Sequence, residues 1–455
     1  MQLNNLTAIS PIDGRYHSKT QSLTPLMSEY GLIKYRVEIE VKWFLALLDA
    51  KLFSIDDCTA ADRQFLETIY QTFSLEDAQQ IKTIESTTNH DVKAVEYFIK
   101  EKLASQEKFK PYLEFVHFAC TSEDINNLAY GRMLTDAKAI LIDKMQQITT
   151  LLKTYAQQWH AMPMLARTHG QAATPTTLGK EFATFYHRAN HSLKQLHQLQ
   201  LNGKINGASG NFNAHCAAYP NVDWFNLAKQ FVSDLGLNFN SHTTQIENHD
   251  SLIQYLQTLM RFNLILIDLS RDCWGYISLN YLTQKLKSGE VGSSTMPHKV
   301  NPIDFENAEG NFILANGLIE TLVRSLPISR WQRDLVDSTL QRNLGSVCAY
   351  ALIGFESLLK GLNKIHANET LLRQELTKHW EVLGEAIQTV MRKHGIENPY
   401  EQLKQFTRGK QLDQTVITQF IQSLKLPEAD KQDLLSLTPE TYIGLAATLA
   451  SDKLT

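Results

Sequence analysis

The sequence predicts an all-α protein of three mainly helical domains arranged around a central bundle of long helices. Two features predict it. Proline is absent from three long windows, Met27 to Lys110, Asn221 to Met296 and Ile328 to Asn398. An internal proline deletes a helical hydrogen bond and clashes with the preceding turn, so each window can hold several helices or one unusually long one. Apolar residues also recur every three or four positions, at Leu141, Met145, Ile148, Leu152, Tyr155 and Trp159, and again at Phe185, Ala189, Leu193, Leu196 and Leu199. That spacing is one face of an α-helix, and no run with the two-residue period of a strand rivals it.

In chain order, residues 1–111 are expected to form an N-terminal helical domain. Residues 112–362 should form the long-helix bundle, and residues 363–455 a C-terminal helical domain. From Leu252 to Leu282 the apolar residues Phe262, Leu264, Ile265, Leu266, Ile267, Leu269, Trp274, Tyr276 and Ile277 cover more than one helical face. A helix apolar on most sides must be buried on most sides, which places it in the middle of a bundle that neighbouring subunits could complete. Polar or glycine-rich interruptions fall at Arg167 to Gly179, Gly203 to Asn213 and Ser288 to Pro302. Reactive groups tend to sit on such loops, held by a rigid scaffold.

With 455 residues, 43% hydrophobic and 20% charged, the chain has material for two or three ordinary globular domains. The net charge of −4 provides no general attraction for nucleic acid or an acidic membrane, so an anionic ligand needs a local cluster of cations. Five cysteines, with no close CxxC pair, suggest neither a disulfide framework nor zinc, and fit a reducing cytoplasm. The first residues lack the basic and apolar regions of a secretion signal, and the apolar runs are too short to span a bilayer.

The richest chemistry lies at Gly292 to Pro302, GSSTMPHKVNP, which combines a flexible glycine, two hydroxyls, a cation and two prolines. Its amides and Lys299 could stabilise negative charge developing on a carboxylate; alone, the same string could equally be a polar connector. This loop is similar to the signature loop of the fumarase, aspartase and argininosuccinate lyase superfamily, whose members eliminate fumarate from succinyl compounds. The resemblance implies that Ser293 is the general base that removes the proton from the carbon next to a carboxylate, with Ser294 as the neighbour to test next. A serine hydroxyl is a poor base at neutral pH, so the loop would have to lower its pKa with amides and a nearby cation. The segment RTHGQAATPTTLGK, Arg167 to Lys180, resembles the one that carries the superfamily's general acid, which points to His169. Histidine titrates near working pH and can hand a proton to a departing nitrogen. Glu306, thirteen residues after Ser293, matches the carboxylate that pairs with this histidine in relatives.

Gly170 follows that histidine, where the adenylosuccinate-cleaving branch places glycine and other branches place leucine. Without a Cβ it would let backbone and a bulky nucleotide approach closely. Ala172 stands where many relatives have proline. Four further patches resemble the same branch: DGRY from Asp13, TTNHDVK from Thr87, FACTSEDINN from Phe118 and SRWQRDLVDSTLQR from Ser329. The resemblance implies that Arg15, Tyr16, Arg333, Ser338, Thr339 and Arg342 grip phosphate and ribose, a task suited to arginine's fork of donors. It implies that Asn89, His90, Asp91, Thr121, Ser122 and Gln245 meet the base and the succinyl group, and that Lys299 and Asn301 meet its carboxylates. Singly, Thr121 and Ser122 could simply start a helix, and Asp13-Gly14 could simply turn.

The expected activity is cleavage of adenylosuccinate to AMP and fumarate, and of succinylated aminoimidazole carboxamide ribotide (SAICAR) to its carboxamide (AICAR) and fumarate, in purine nucleotide biosynthesis. A cytoplasmic homotetramer with shared active sites is implied, with no cofactor. His215 and His298 invite a metal, but no HExxH or paired Cys/His spacing supports one. Gly170 and the arginines argue against argininosuccinate as substrate. Intact Ser293, His169, Lys299 and Glu306 argue against an inactive structural relative.

Overall fold

A computed structural model describes residues 4–55, 58–285, 296, 299–408 and 412–451. The helices that matter below, in chain order, are α1 (Glu29–Asp49), α2 (Leu75–Thr88), α3 (Asp91–Ala104), α4 (Ser122–Gln158), α5 (Leu178–Gln198), α6 (Asp250–Ser278), α7 (Ile303–Ser325), α8 (Val336–Gln341) and α9 (Leu344–Leu362). Helix α4 is 37 residues long and α6 is 29, so the expected long helices are present. Among the described residues none is long and apolar enough to cross a membrane. The chain divides into two compact units, each made of three separate stretches.

The first unit comprises Met1–Met145, Ser192–Leu264 and Gly310–Glu356. Its core takes Trp43, Phe44 and Leu47 from α1, Ile125, Leu128 and Met133 from α4, and Tyr255, Leu259 and Phe262 from α6. Phe262 meets Phe355 of α9 edge to face at 5.6 Å between ring centres. Polar contacts at the first turns of α4 tie this core together. Asp124 accepts hydrogen bonds from the amides of Thr121 at 2.8 Å and Asn206 at 3.0 Å, and pairs with the Lys204 ammonium at 2.9 Å. Gly207 adds an amide at 3.1 Å. Both charged side chains are 0% exposed. One turn on, Asn127 closes a reciprocal pair with the Lys204 backbone, giving and receiving bonds of 3.0 and 2.8 Å. Segment 203–207 is thereby fixed to the foot of α4.

The second unit comprises Gln146–His191, Ile265–Glu309 and Ser357–Thr455. Tyr155 and Trp159 stack at 4.5 Å, Phe182 of α5 stands edge-on to both, and the Tyr155 hydroxyl donates to the Leu362 carbonyl at 2.6 Å. A separate core near the C-terminus gathers Leu383, Ile387, Met391, Ile417, Phe420 and Ile421 from short helices. The sequence shows no strand rhythm between Arg167 and Gly179, yet β1 (Pro163–Thr168) and β2 (Gln171–Thr177) form an antiparallel hairpin there. Two much shorter strand pairs complete the β content of the described residues. Burial explains the missed hairpin. β1 is buried at its start and exposed at its end, β2 the reverse, so neither strand alternates.

The helix at Leu252 to Leu282 is not buried on every side. On α6, Leu264 and Trp274 are each 48% exposed.

Replacing Lys204 with Met strands the Asp124 carboxylate in the core, a change that typically costs about 3 to 5 kcal/mol. Calorimetry of Lys204→Met should show a Tm several degrees below that of the parent protein. An unchanged Tm would mean the pair does not hold the first unit together.

Candidate active site

The first unit holds the residues expected to grip the substrate. Asn89 ends α2 in the left-handed conformation at φ 53°, and the His90 ring nitrogen caps α3 by accepting from the Lys93 amide at 3.1 Å. This sharp junction turns Asp91 toward two arginines. Arg36 Nη2 lies 2.7 Å from Asp91 Oδ2, and Arg342 Nη2 lies 3.6 Å from the same oxygen. The other terminal nitrogen of Arg342 reaches Glu29 at 2.9 Å, and Arg36 Nε donates to Asn126 at 2.8 Å. Burial pushes the Asp91 carboxyl up, but Arg36, a hydrogen bond donated by the Val92 amide, and Arg342 outweigh it and hold the group below the usual carboxylate range.

Thr121 and Ser122 do start a helix, α4, and Gln245 donates to the Ala208 carbonyl at 2.9 Å. Arg333 Nη1 stands 3.1 Å from the buried carboxylate of Glu123. Ser338 lies on α8 one residue beyond Asp337, whose carboxylate faces His249 Nε2 at 3.4 Å; Thr339, the next residue, is exposed. Gln341 approaches the same imidazole at 3.3 Å. Burial pulls the His249 imidazole down, and Asp337, Glu247 and Glu123 together raise it above its ordinary value. Arg15 is exposed and Tyr16 half-buried at the turn that includes Gly14. A cleft of about 300 Å³ beside Arg342 is lined by Ser10, Asp13, Thr24, Ser28 and Ser346 among others.

The second unit holds the residues expected to do the chemistry. His169 is the tip of the β1–β2 hairpin. Thr168 and Gln171 are partners, so only His169 and Gly170 turn the chain, at φ 52° and 76°. Positive φ at both positions is the two-residue hairpin turn whose twist matches its strands. Gly170 therefore has a conformational reason beside the close approach read in the sequence. A Cβ there would have nothing within 4 Å, so the backbone conformation, rather than crowding within the chain, calls for glycine. The hairpin is anchored by Arg167, which meets Glu375 and the Tyr281 hydroxyl, and by Thr174, which meets Glu385. At its tip the His169 side chain is exposed.

Glu306, in the first turn of α7, accepts from the Trp274 indole at 3.1 Å rather than from His169. Lys299 is exposed and Asn301 half-buried just before α7. Ser293, Ser294 and His298 lie outside the described residues.

Several partners in this arrangement escaped the sequence reading. Arg36 carried little signal, since it is one of five charged residues in GLIKYRVEIEVKWF. Lys204 carried less, within a glycine-interrupted stretch. Glu29, Glu123 and Asp337 carried none.

Comparison with known proteins assigns the chain first to a class of enzymes. The Lyase family model matches residues 14–316, and the model for the adenylosuccinate lyase C-terminal region matches residues 329–443. The fold is similar to that of the 3-carboxy-cis,cis-muconate lactonizing enzyme of Pseudomonas putida, with a TM-score of 0.76 over 94% of this chain and 95% of that one, at 21% identity. Among curated relatives, the adenylosuccinate lyase of Escherichia coli is 52% identical over 99% of this chain and 100% of its own length. That of Haemophilus influenzae is 49% identical over 99% of each chain. The chain belongs to the adenylosuccinate lyase family.

Gly170→Ala should lose about 1 kcal/mol or more, because an alanine must adopt the left-handed turn without any packing gain. Thermal unfolding of the variant tests the conformational account. A Tm equal to the parent's would show that the turn tolerates a side chain.

Proposed function

We infer that this chain cleaves adenylosuccinate to AMP and fumarate, and SAICAR to AICAR and fumarate. Half-identity along nearly its whole length to the lyase of Escherichia coli carries this reading. What supports it further is two guanidiniums, Arg333 and Arg342, each held by a carboxylate that a nucleotide phosphate can replace; they give an anionic ligand the local cations that the net charge of −4 does not provide.

In this reading the nucleotide phosphate draws Arg333 and Arg342 from their carboxylates, with Arg15, Tyr16, Ser338 and Thr339 completing the grip on phosphate and ribose. Asn89, His90, Asp91, Thr121, Ser122 and Gln245 hold the base and succinyl group. Lys299 and Asn301 hold the succinyl carboxylates, which makes the neighbouring C–H more acidic and stabilises the charge that develops when its proton leaves. Ser293 takes that proton, the electron pair forms the fumarate double bond, and the C–N bond breaks. His169 gives its proton to the departing nitrogen. An exposed hairpin tip suits this role, since it leaves the ring open to a bound substrate. The Glu306 carboxylate stabilises the imidazolium.

Because Glu306 bonds to Trp274 within its own chain, its pairing with His169 is assigned to association of chains. Leu264 on α6 and Ile313 and Leu314 on α7 are each about half exposed, an apolar surface that water disfavours. These helices are proposed to associate as a homotetramer that draws each active site from several chains. Five unpaired cysteines fit a cytoplasmic setting.

His169→Gln and Ser293→Ala should each abolish most turnover of adenylosuccinate, followed by absorbance, with little change in Tm. Mixing the two inactive proteins after mild dissociation should restore a fraction of the activity. A mixed tetramer that stays inactive would count against shared sites, and either variant keeping near-parental kcat would remove its residue from the chemistry.

The phosphate assignment makes a separate prediction. Succinyladenosine, which lacks the phosphate, should lose at least a hundredfold in kcat/KM, about 2.7 kcal/mol of transition-state stabilisation. Comparable efficiency with the nucleoside would refute the arginine roles, and turnover of argininosuccinate in preference to adenylosuccinate would overturn the function.

A further inference from the structure

The three carboxylates that hold Arg36, Arg333 and Arg342 differ in what remains to them once a nucleotide phosphate arrives. Glu29 is 43% exposed, so water replaces Arg342 when that arginine turns to phosphate. Asp91 keeps Arg36 at 2.7 Å even when Arg342 leaves. Glu123 has neither recourse. Its side chain is 2% exposed, Arg333 is 3.1 Å from Oε2, and Oε1 has no hydrogen-bond partner. The other charged or titratable groups facing it are Asp337 of α8, His249 at the start of α6 and Tyr130 two turns along its own helix. Asp337 is a second carboxylate and is itself engaged with His249. Arg333 is thus the only permanent cation that balances Glu123 among the described residues.

We propose that Glu123 takes up a proton from solvent when a nucleotide phosphate binds Arg333, so that binding at this site is coupled to proton uptake. The inference rests on Arg333 as a phosphate ligand. A phosphate dianion that pulls Arg333 away leaves a buried carboxylate uncompensated. A dianion that shares the guanidinium places two further negative charges beside that carboxylate. Either way the protonated form becomes the stable one. The balance is simple: the Arg333–Glu123 ion pair, a phosphate dianion and one proton become an Arg333–phosphate pair and a neutral carboxylic acid. The free protein is already poised for this step. Burial pushes the Glu123 carboxyl up, Arg333 only partly offsets it, Asp337 adds to it, and the net value is about 7. The sign follows from a raised pKa: around pH 8 the group is mostly ionised in the free protein, and phosphate raises it further. The uptake is therefore largest on the alkaline side of neutrality.

Isothermal titration calorimetry with AMP at about pH 8 tests this in buffers of low and high ionisation enthalpy. The phosphate of AMP is fully a dianion there, because its second pKa is about 6, and contributes no proton. The parent protein should take up close to one proton per site. Glu123→Gln, which keeps the shape and removes the titrating group, should take up none. Affinity should weaken by up to tenfold per pH unit from about pH 7.5 to 9 in the parent and stay flat in the variant. Should Glu123→Gln not fold, Glu123→Asp must retain the uptake. AMP binding without a buffer-dependent enthalpy overturns the proposal, as does uptake that persists in Glu123→Gln, which would put the proton elsewhere, with His249 the nearest titrating imidazole. Failure of AMP to bind either protein overturns the phosphate assignment of Arg333 together with this proposal.

Discussion

The buried pair between Asp124 and Lys204 is the constraint on which the first unit depends. A carboxylate removed from water must find donors for both oxygens, and Asp124 finds four: three backbone amides and one ammonium. The amides come from the residue just before α4 and from segment 203–207, which are far apart in the chain. The pair therefore does more than satisfy itself. It fixes where α4 begins, and with it Thr121, Ser122 and Glu123, and it holds the segment that leads into Ala208, whose carbonyl receives Gln245. A hydrophobic substitute of equal volume could fill the space without fixing either strand of chain.

A second theme is that the arginines expected to meet phosphate are occupied by carboxylates. Arg342 is held by Glu29 and Asp91, and Arg333 by Glu123. Such pairing gives each guanidinium one defined position instead of many rotamers, which lowers the entropy lost on ligand binding. It also sets a threshold. A ligand must offer the arginines more than the carboxylate does, and a dianionic phosphate does so where a neutral hydroxyl does not.

The long helices were legible because their evidence is local. Leu141, Met145, Ile148 and Leu152 announce a helix face without reference to anything else, and all are buried in the structure. The hairpin was not legible, because its strands bury opposite ends rather than opposite faces, and its His-Gly turn reads as part of a loop. The site was legible only through resemblance. Its chemistry lies in pairs such as Arg342 with Glu29, 313 positions apart, and no window of sequence contains both members. Glu123 shows the limit most clearly. In the sequence it is an acidic residue in the first turn of a helix, a position that favours carboxylates anyway, and only burial distinguishes it from an ordinary surface glutamate.

The interleaving of the two units bears on how the chain is made. The first unit closes only with Gly310–Glu356, and the second only with Ser357–Thr455. During synthesis from the N-terminus, parts of the interior such as Phe262 of α6, which meets Phe355, and Tyr155 of α4, which meets Leu362, must therefore wait for partners that emerge much later. Neither half can be finished and set aside while the other is translated. A nascent chain of this topology keeps part of its future interior exposed until the last helices emerge, so its yield in a cell depends on protection during that interval as well as on the stability of the finished fold.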